Sequence, residues 1–169
     1  MSSTGYDMEQ IVRDHYASVF RFCARRVGVD LAADAAQDTF VTAQKVLRFF
    51  RGDSSLSTWL FGIANNECRR SVRKRRVEIG PLQIDVPNPN DVTESIIVDR
   101  EALFQAMDKL SEEQREVVLL HELEGLTYEE AAQVLGIPVG TVKSRIHHAF
   151  RNLRCAIFGM DTATGEAVG

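Results

Sequence analysis

Apolar positions along this chain recur every three to four residues and nowhere alternate strictly, which predicts helices and no strand. Met8, Ile11, Val12, His15, Tyr16, Val19, Phe20 and Cys23 form one stripe, in a helix over residues 7–27 that Gly28 stops. Ala32, Ala36, Phe40, Ala43, Leu47 and Phe50 form a second, in a helix opened by Asp30. Leu60, Ile63, Ala64, Cys68 and Val72 form a third, in a helix capped by Ser57 and running to about Arg76. Residues 77–90 carry Gly80, Pro81, Pro87 and Pro89 without a period and read as a linker. Periodicity returns with Ile96, Leu103, Met107 and Leu110, behind a capping box of Asp91 and Glu94. Ser111 and Gln114 make a second box, for a helix bearing Val117, Leu120 and Leu123 and stopped by Gly125. The polar ends, residues 1–6 and 159–169, read as frayed or disordered. The fold class is all-α: three helices, a linker, then four helices.

Residues 126–154, LTYEEAAQVLGIPVGTVKSRIHHAFRNLR, hold the last two of those helices. Thr127 and Glu130 are a third capping box, Ala131, Ala132 and Leu135 a small apolar face, and Gly136 a left-handed stop. Ile137 plugs the turn and Pro138 begins the next helix, whose inner face is Val142, Ile146, Ala149 and Leu153. Thr141, Lys143, Ser144, Arg145, His147, His148 and Arg151 remain outside. A small-residue helix, a tight turn and a second helix with cations and short polar donors make a helix-turn-helix suited to a major groove.

Charge is unevenly spread. The net −4 does not announce nucleic-acid binding, but residues 1–80 balance at +4, residues 81–125 at −8 and the remainder at zero. Six of the cations, Arg69, Arg70, Arg73, Lys74, Arg75 and Arg76, fall within residues 69–76 with no acid among them. Such crowding on a helix is unfavourable without an anionic partner, and it adjoins Trp59 and Asn66. Upstream of it RGDSSLS, residues 51–57, is a polar loop rich in donors and acceptors. The outer face of the second helix is acidic and amide-rich, with Asp34, Gln37, Asp38 and Gln44, and can dock a basic surface.

Catalytic readings find no support. RGDSSLS lacks the lysine and spacing of a phosphate-cradling loop, and no strand-turn-helix presents a nucleophile. His147 and His148 are adjacent and diverge on a helix, while His15 and His121 stand alone. No metal site, cofactor or enzymatic activity is expected. Cys23, Cys68 and Cys155 lack ligand spacing and read as free thiols of a reducing compartment. Without a signal peptide or membrane-length apolar run, a soluble cytoplasmic protein is expected.

Three stretches, DAAQDTFVTAQK (34–45), FRGDSSLSTWLFGIANNECRRSVRKRR (50–76) and residues 126–154, in that order and with a linker between, resemble the bacterial RNA polymerase sigma factors of the extracytoplasmic-function group. The resemblance implies a region 2-like domain over residues 1–76, a linker over 77–95, a region 4-like domain over 96–158 and a tail. It implies binding to core RNA polymerase, through the beta-prime and beta subunits, and to promoter DNA, with an anti-sigma factor as regulator and no membrane insertion. Asp34, Gln37, Asp38, Phe40 and Gln44 would meet the polymerase. Gly52, Asp53, Ser54, Ser55, Leu56 and Ser57 would wall a pocket for a flipped minus-ten base, with Trp59 and Asn66 beside it and the cations of residues 69–76 on the phosphates. Thr127 and the outer residues from Thr141 to Arg151 would read the minus-thirty-five element. A regulator using the helix-turn-helix alone, and an inactive decoy for an anti-sigma partner, are the competing readings; both leave the cationic run unused.

Overall fold

Asp7 starts the first helix by accepting the Glu9 N–H at 3.1 Å, and α1 (Met8–Val27) follows. Gly28 ends α1 and at once begins α2 (Val29–Val46), so Asp30 lies in the first turn of α2 rather than opening it. A 3-10 turn, Leu47–Phe49, closes α2, and a short loop leads to α3 (Leu56–Ile79). The computed structural model describes residues 5–79 and 97–158. The remaining helices are α4 (Ile97–Asp108), α5 (Glu112–Val118), α6 (Tyr128–Leu135) and α7 (Val139–Phe158). Among the described residues there is no strand. The expected Asp91–Glu94 box, Ile96, the linker from residue 80 to 95 and the tail lie outside the described residues.

α1, α2 and α3 form one bundle. Alanines 32, 35, 36 and 43 are fully buried on α2, and their small side chains admit a close approach of α1. Phe22 of α1 fills the centre and meets Phe61 of α3 with ring centroids 5.3 Å apart. Phe40 is buried and stacks on Tyr16 at 6.1 Å, while Tyr16 itself is 43% exposed rather than a core residue. The second bundle is built on α7, whose Val142, Ile146, Ala149 and Leu153 face α4, α5 and α6 as their spacing predicts. Ser111 and Gln114 cap α5 reciprocally, at 3.2 and 3.3 Å, as their spacing predicts.

Local chemistry shifts several boundaries. Ser55, not Ser57, caps α3: its Oγ accepts the Thr58 N–H at 3.1 Å. α3 also runs three residues into the stretch read as linker, to Ile79. α5 passes into a π-turn, Leu119–Leu123, with the Glu124 N–H bonded to the Leu119 carbonyl. The extra residue rotates the stripe, so Leu123 is 52% exposed instead of core. Pro138 is the cap of α7, its carbonyl accepting from Thr141 and Val142, one position before the helix proper.

The two bundles pack on each other. α3 lies against α6, and one buried cluster runs from Leu60, Phe61 and Cys68 to Val117, Leu120, Leu126, Ala131 and Leu135. A second, smaller cluster joins Ala106, Leu110 and Val118 to Ala149 and Leu153.

Candidate nucleic-acid interface

The loop before α3 is shaped by backbone chemistry. Gly52 stands at φ 76°, which a residue with a Cβ adopts only with strain, and it is exposed together with Asp53 and Ser55. Ser55 Oγ lies 2.9 Å from Thr58 Oγ1, and Ser57 Oγ lies 3.5 Å from His15 Nδ1. Ser54, Leu56 and Ser57 are half-buried. Trp59 is half-buried too and tilts over Phe50, centroids 5.0 Å apart, which makes it the floor of the loop rather than a free platform.

Adjacent asparagines on α3 have opposite fates. Asn66 is exposed on the same side as Arg70 and Arg73. Asn65 is fully buried, its Oδ1 accepts the Arg26 Nε–H at 3.3 Å, and its Nδ2 has no partner among the described residues. Arg70, Arg73, Lys74, Arg75 and Arg76 are exposed, so the cationic run is presented to solvent, with one exception. Arg69 is half-buried and gives both Nε and Nη2 to Glu116, at 3.3 and 3.0 Å. Those hydrogen bonds hold its guanidinium above the ordinary value against the opposing effect of burial. Arg70 pairs at 3.2 Å with Glu67, a buried carboxylate that also accepts from Thr42.

The second candidate surface is the outer side of α6 and α7. Thr127 Oγ1 accepts the Glu130 N–H at 3.1 Å and Glu130 Oε2 accepts the Thr127 N–H at 2.8 Å, completing the expected box. Gly136 takes the left-handed conformation, φ 66° and ψ 34°, and the Ile137 N–H then closes on the Ala132 carbonyl. Lys143, Ser144, His147, His148 and Arg151 are all exposed; Thr141 and Arg145 are half-buried. Lys143 Nζ stands 5.5 Å from the centroid of the Tyr128 ring, and Ser144 donates to the Thr141 carbonyl at 3.0 Å. Tyr128 in turn stacks on His121 at 4.3 Å, and His121 Nδ1 lies 2.6 Å from the Leu126 carbonyl. That chain of contacts fixes the angle at which α6 meets the turn.

On α2, Asp34, Gln37, Asp38 and Gln44 are exposed and contiguous, whereas Phe40 points into the core and is withdrawn from that surface. Exposed Val41, which the polar pattern hid, sits among them, and Phe49 is 65% exposed nearby under the Arg48 guanidinium. Acid and amide around a solvated valine make a better protein-docking face than charge alone. Sequence reasoning also missed the buried Arg26, Asn65, Glu67 and Glu116; Arg26 joins Asn65 and Glu116 across 39 and 90 residues, which no local pattern signals. Among the described residues no helix is long and apolar enough to cross a membrane.

Comparison with known proteins agrees with this geometry. Residues 11–78 match the family described as sigma-70 region 2, and residues 100–153 match sigma-70, region 4. The RNA polymerase sigma factor YlaC of Bacillus subtilis (strain 168) is 35% identical over 156 residues, which cover 87% of this chain and 90% of that one. The ECF RNA polymerase sigma-E factor of Escherichia coli (strain K12) is 34% identical over 131 residues, covering 69% and 68%. Among solved structures, the sigma factor RpoE in complex with the anti-sigma factor NepR, from Bartonella quintana, superposes with a TM-score of 0.74 at 29% identity, over 90% of this chain and 97% of that one. CnrH in complex with the cytosolic domain of CnrY gives 0.63 at 26% identity, over 91% and 89%.

Proposed function

Because the chain belongs to the sigma-70 family of RNA polymerase sigma factors, in its extracytoplasmic-function group, and so serves transcription initiation at promoters, we propose how its surfaces divide that work. The α1–α3 bundle is the region 2 domain and docks core polymerase through Asp34, Gln37, Asp38 and Gln44 around Val41. Gly52 to Ser57 form the wall of a pocket for one flipped minus-ten base, and Asn66 bonds that base or its neighbour. The exposed cations from Arg70 to Arg76, with Arg69, hold the backbone of the separated strand. The α4–α7 bundle is the region 4 domain, and α7 enters the minus-thirty-five major groove with Lys143, Ser144, His147 and His148, supported by Thr127, Thr141, Arg145 and Arg151 on phosphates.

The observation that carries the reading is the presence in one chain of a polar loop capped into a cationic helix and a helix-turn-helix whose outer face exposes Lys143, Ser144, His147, His148 and Arg151. Extruding a base costs a few kcal/mol of unstacking, which a polar pocket and phosphate contacts offset. Two modest readers on one polymerase gain through effective concentration, so the chain itself needs no strong affinity for free DNA. No catalytic group is required, and the working compartment is the cytoplasm, where the polymerase and promoters are. Two of the solved relatives are complexes, one with an anti-sigma factor and one with a cytosolic domain, and we take an anti-sigma partner to regulate this chain likewise.

Run-off transcription with core polymerase is the test. Promoter-specific transcripts should depend on the protein, and on both bundles. Specific DNA binding without any core-dependent transcript would return the chain to a regulator that uses its helix-turn-helix alone.

A further inference from the structure

Between Asp38 and Asp53 the chain carries three cations, Lys45, Arg48 and Arg51, and no acid. All three are exposed, and none pairs with an acid among the described residues. Phe49 stands among them, and the 3-10 turn at the end of α2 explains why it meets solvent. The Phe50 N–H closes that turn on the Leu47 carbonyl at 3.0 Å. The Phe50 ring is held inside by Tyr6 and Trp59, with centroids 5.6 and 5.0 Å away. Fixing Phe50 inward turns its neighbour outward: Phe50 is 8% exposed and Phe49 65%. The Arg48 guanidinium carbon lies 4.7 Å from the centre of the Phe49 ring, so cation and ring make one stacked unit.

We propose that Phe49, with Arg48 stacked on it and Lys45 and Arg51 flanking it in the chain, is a platform for a second unpaired base of the minus-ten strand, next to the one that enters the loop, and that it accepts any base. The inference rests on the assignment of residues 52–57 to that strand made above. Arg51 directly precedes Gly52, so platform and loop are continuous along the backbone. Once one base is extruded its neighbour loses a stacking partner, and an exposed aromatic ring replaces that partner. Every base has a π face, so the platform adds grip on the opened strand without adding sequence choice. Charge decides between nucleic acid and polymerase as the occupant. The α2 face assigned to polymerase is acidic, with Asp34 and Asp38, and calls for a basic partner surface. Such a surface meets Lys45, Arg48 and Arg51 as like charges, whereas a phosphate backbone meets them as opposite ones. Trp59 does not compete for the role, because it is half-buried and packed on Phe50.

Holoenzyme assembled from core polymerase and the full chain tests this with single-stranded minus-ten oligonucleotides that carry 2-aminopurine at one position at a time beside the flipped base. With wild type, fluorescence should be quenched at one neighbouring position. Phe49→Ala should restore fluorescence there and weaken strand binding about tenfold. Phe49→Tyr should keep both quenching and affinity, while Phe49→Leu should behave as alanine does, because stacking needs the ring and not its apolar surface alone. An abasic site at the quenched position should remove the difference between wild type and Phe49→Ala, and exchanging the base there among the four should not. Lys45→Ala and Arg51→Ala should each lower the log–log salt slope of strand binding by about 0.7. The inference is overturned if Phe49→Ala binds the strand as wild type does, or if Phe49→Leu retains full affinity. It is equally overturned if Phe49→Ala weakens association with core polymerase in the absence of DNA, which would assign the ring to the polymerase face. Asn66→Ala separates the two readings. Altered base preference in Asn66→Ala beside wild-type binding in Phe49→Ala overturns the platform and leaves the pocket standing. If neither variant changes strand binding or preference, the assignment of the loop to the minus-ten strand fails and the platform with it.

Discussion

Thr58 donates its hydroxyl to Glu130 Oε1 at 3.2 Å across 72 residues of sequence, while the other oxygen of Glu130 accepts the Thr127 N–H. One carboxylate thus completes the capping box of α6 and ties it to the head of α3. Its pKa lies below the ordinary 4.5, first because the Thr127 N–H favours the ionised form. Glu113 is lowered as well, first by its own backbone N–H and then by Ser111.

These shifts set an acid limit on stability. Carboxyls with a depressed folded pKa bind protons more readily in the unfolded chain, so their contribution is complete above about 4.5 and is lost as pH falls through the folded values. Melting temperature should be flat above about pH 5 and fall below it. Glu130→Gln should lower the plateau and flatten the acid limb; an unchanged limb would remove Glu130 from the account. Thr127→Ala should cost about 0.5–2 kcal/mol as the loss of an N-cap.

The polymerase face separates surface from core on one helix. Asp38→Arg should weaken association with core polymerase in a titration and leave the helical circular dichroism spectrum unchanged, because Asp38 is exposed. Val41→Ser should also weaken it, since burying a solvated valine contributes roughly 1–2 kcal/mol to docking. Phe40→Ala should instead destabilise the fold by about 3–5 kcal/mol. Wild-type affinity in both surface variants would place polymerase contact elsewhere.

Which features were legible in the sequence follows from the range of the forces behind them. Ser111 with Gln114, Thr127 with Glu130, and Gly136 were readable because a cap is made by residues three apart or by one residue's own backbone. The serine run at 54, 55 and 57 offered several caps of equal chemistry, and only the loop geometry chose Ser55. Leu123 left the core because the π-turn adds a residue that no helical period contains. Phe40 and Val41 are neighbours, one buried and one exposed, on a helix whose polar pattern drew attention to the acids around them. The buried Arg26 was beyond reach: two arginines end α1, and the acid that selects the second lies 90 residues on.

Lys143 offers a measure of phosphate contact in the minus-thirty-five helix. Its ammonium has no acid partner among the described residues and rests 5.5 Å from the Tyr128 ring centroid, so its removal costs about 0.5–1 kcal/mol of stability at most. Lys143→Ala should lower promoter binding by the holoenzyme, with the log–log salt slope falling by about one if the contact is to phosphate. Replacing Lys143, Ser144 and His148 together should alter base preference across the element. Retention of the wild-type preference would show that another face of α7 meets the groove.

Asn65 and Asn66 distinguish structure from strand opening within two adjacent residues. Asn65 is buried and accepts the Arg26 Nε–H, so Asn65→Ala should destabilise the protein by about 1–3 kcal/mol by stranding a buried donor. Asn66 is exposed beside Arg70 and Arg73, and its amide offers both donor and acceptor to a base edge. Asn66→Ala should leave stability within about 0.5 kcal/mol of wild type. Closed-complex formation should survive, because it draws on duplex phosphates and the minus-thirty-five contacts. Strand opening should weaken by about 1–3 kcal/mol if one discriminating base contact is lost. Permanganate footprinting on linear templates should show the defect. A premelted bubble should relieve it without restoring preference for the correct flipped base, since the bubble supplies the unstacking and not the contact. If the variant opens linear promoters as wild type does and keeps its base preference, Asn66 is only a solvated helix residue. The base must then be held by the loop around Gly52, where Gly52→Ala strains a backbone at φ 76° and supplies the next comparison.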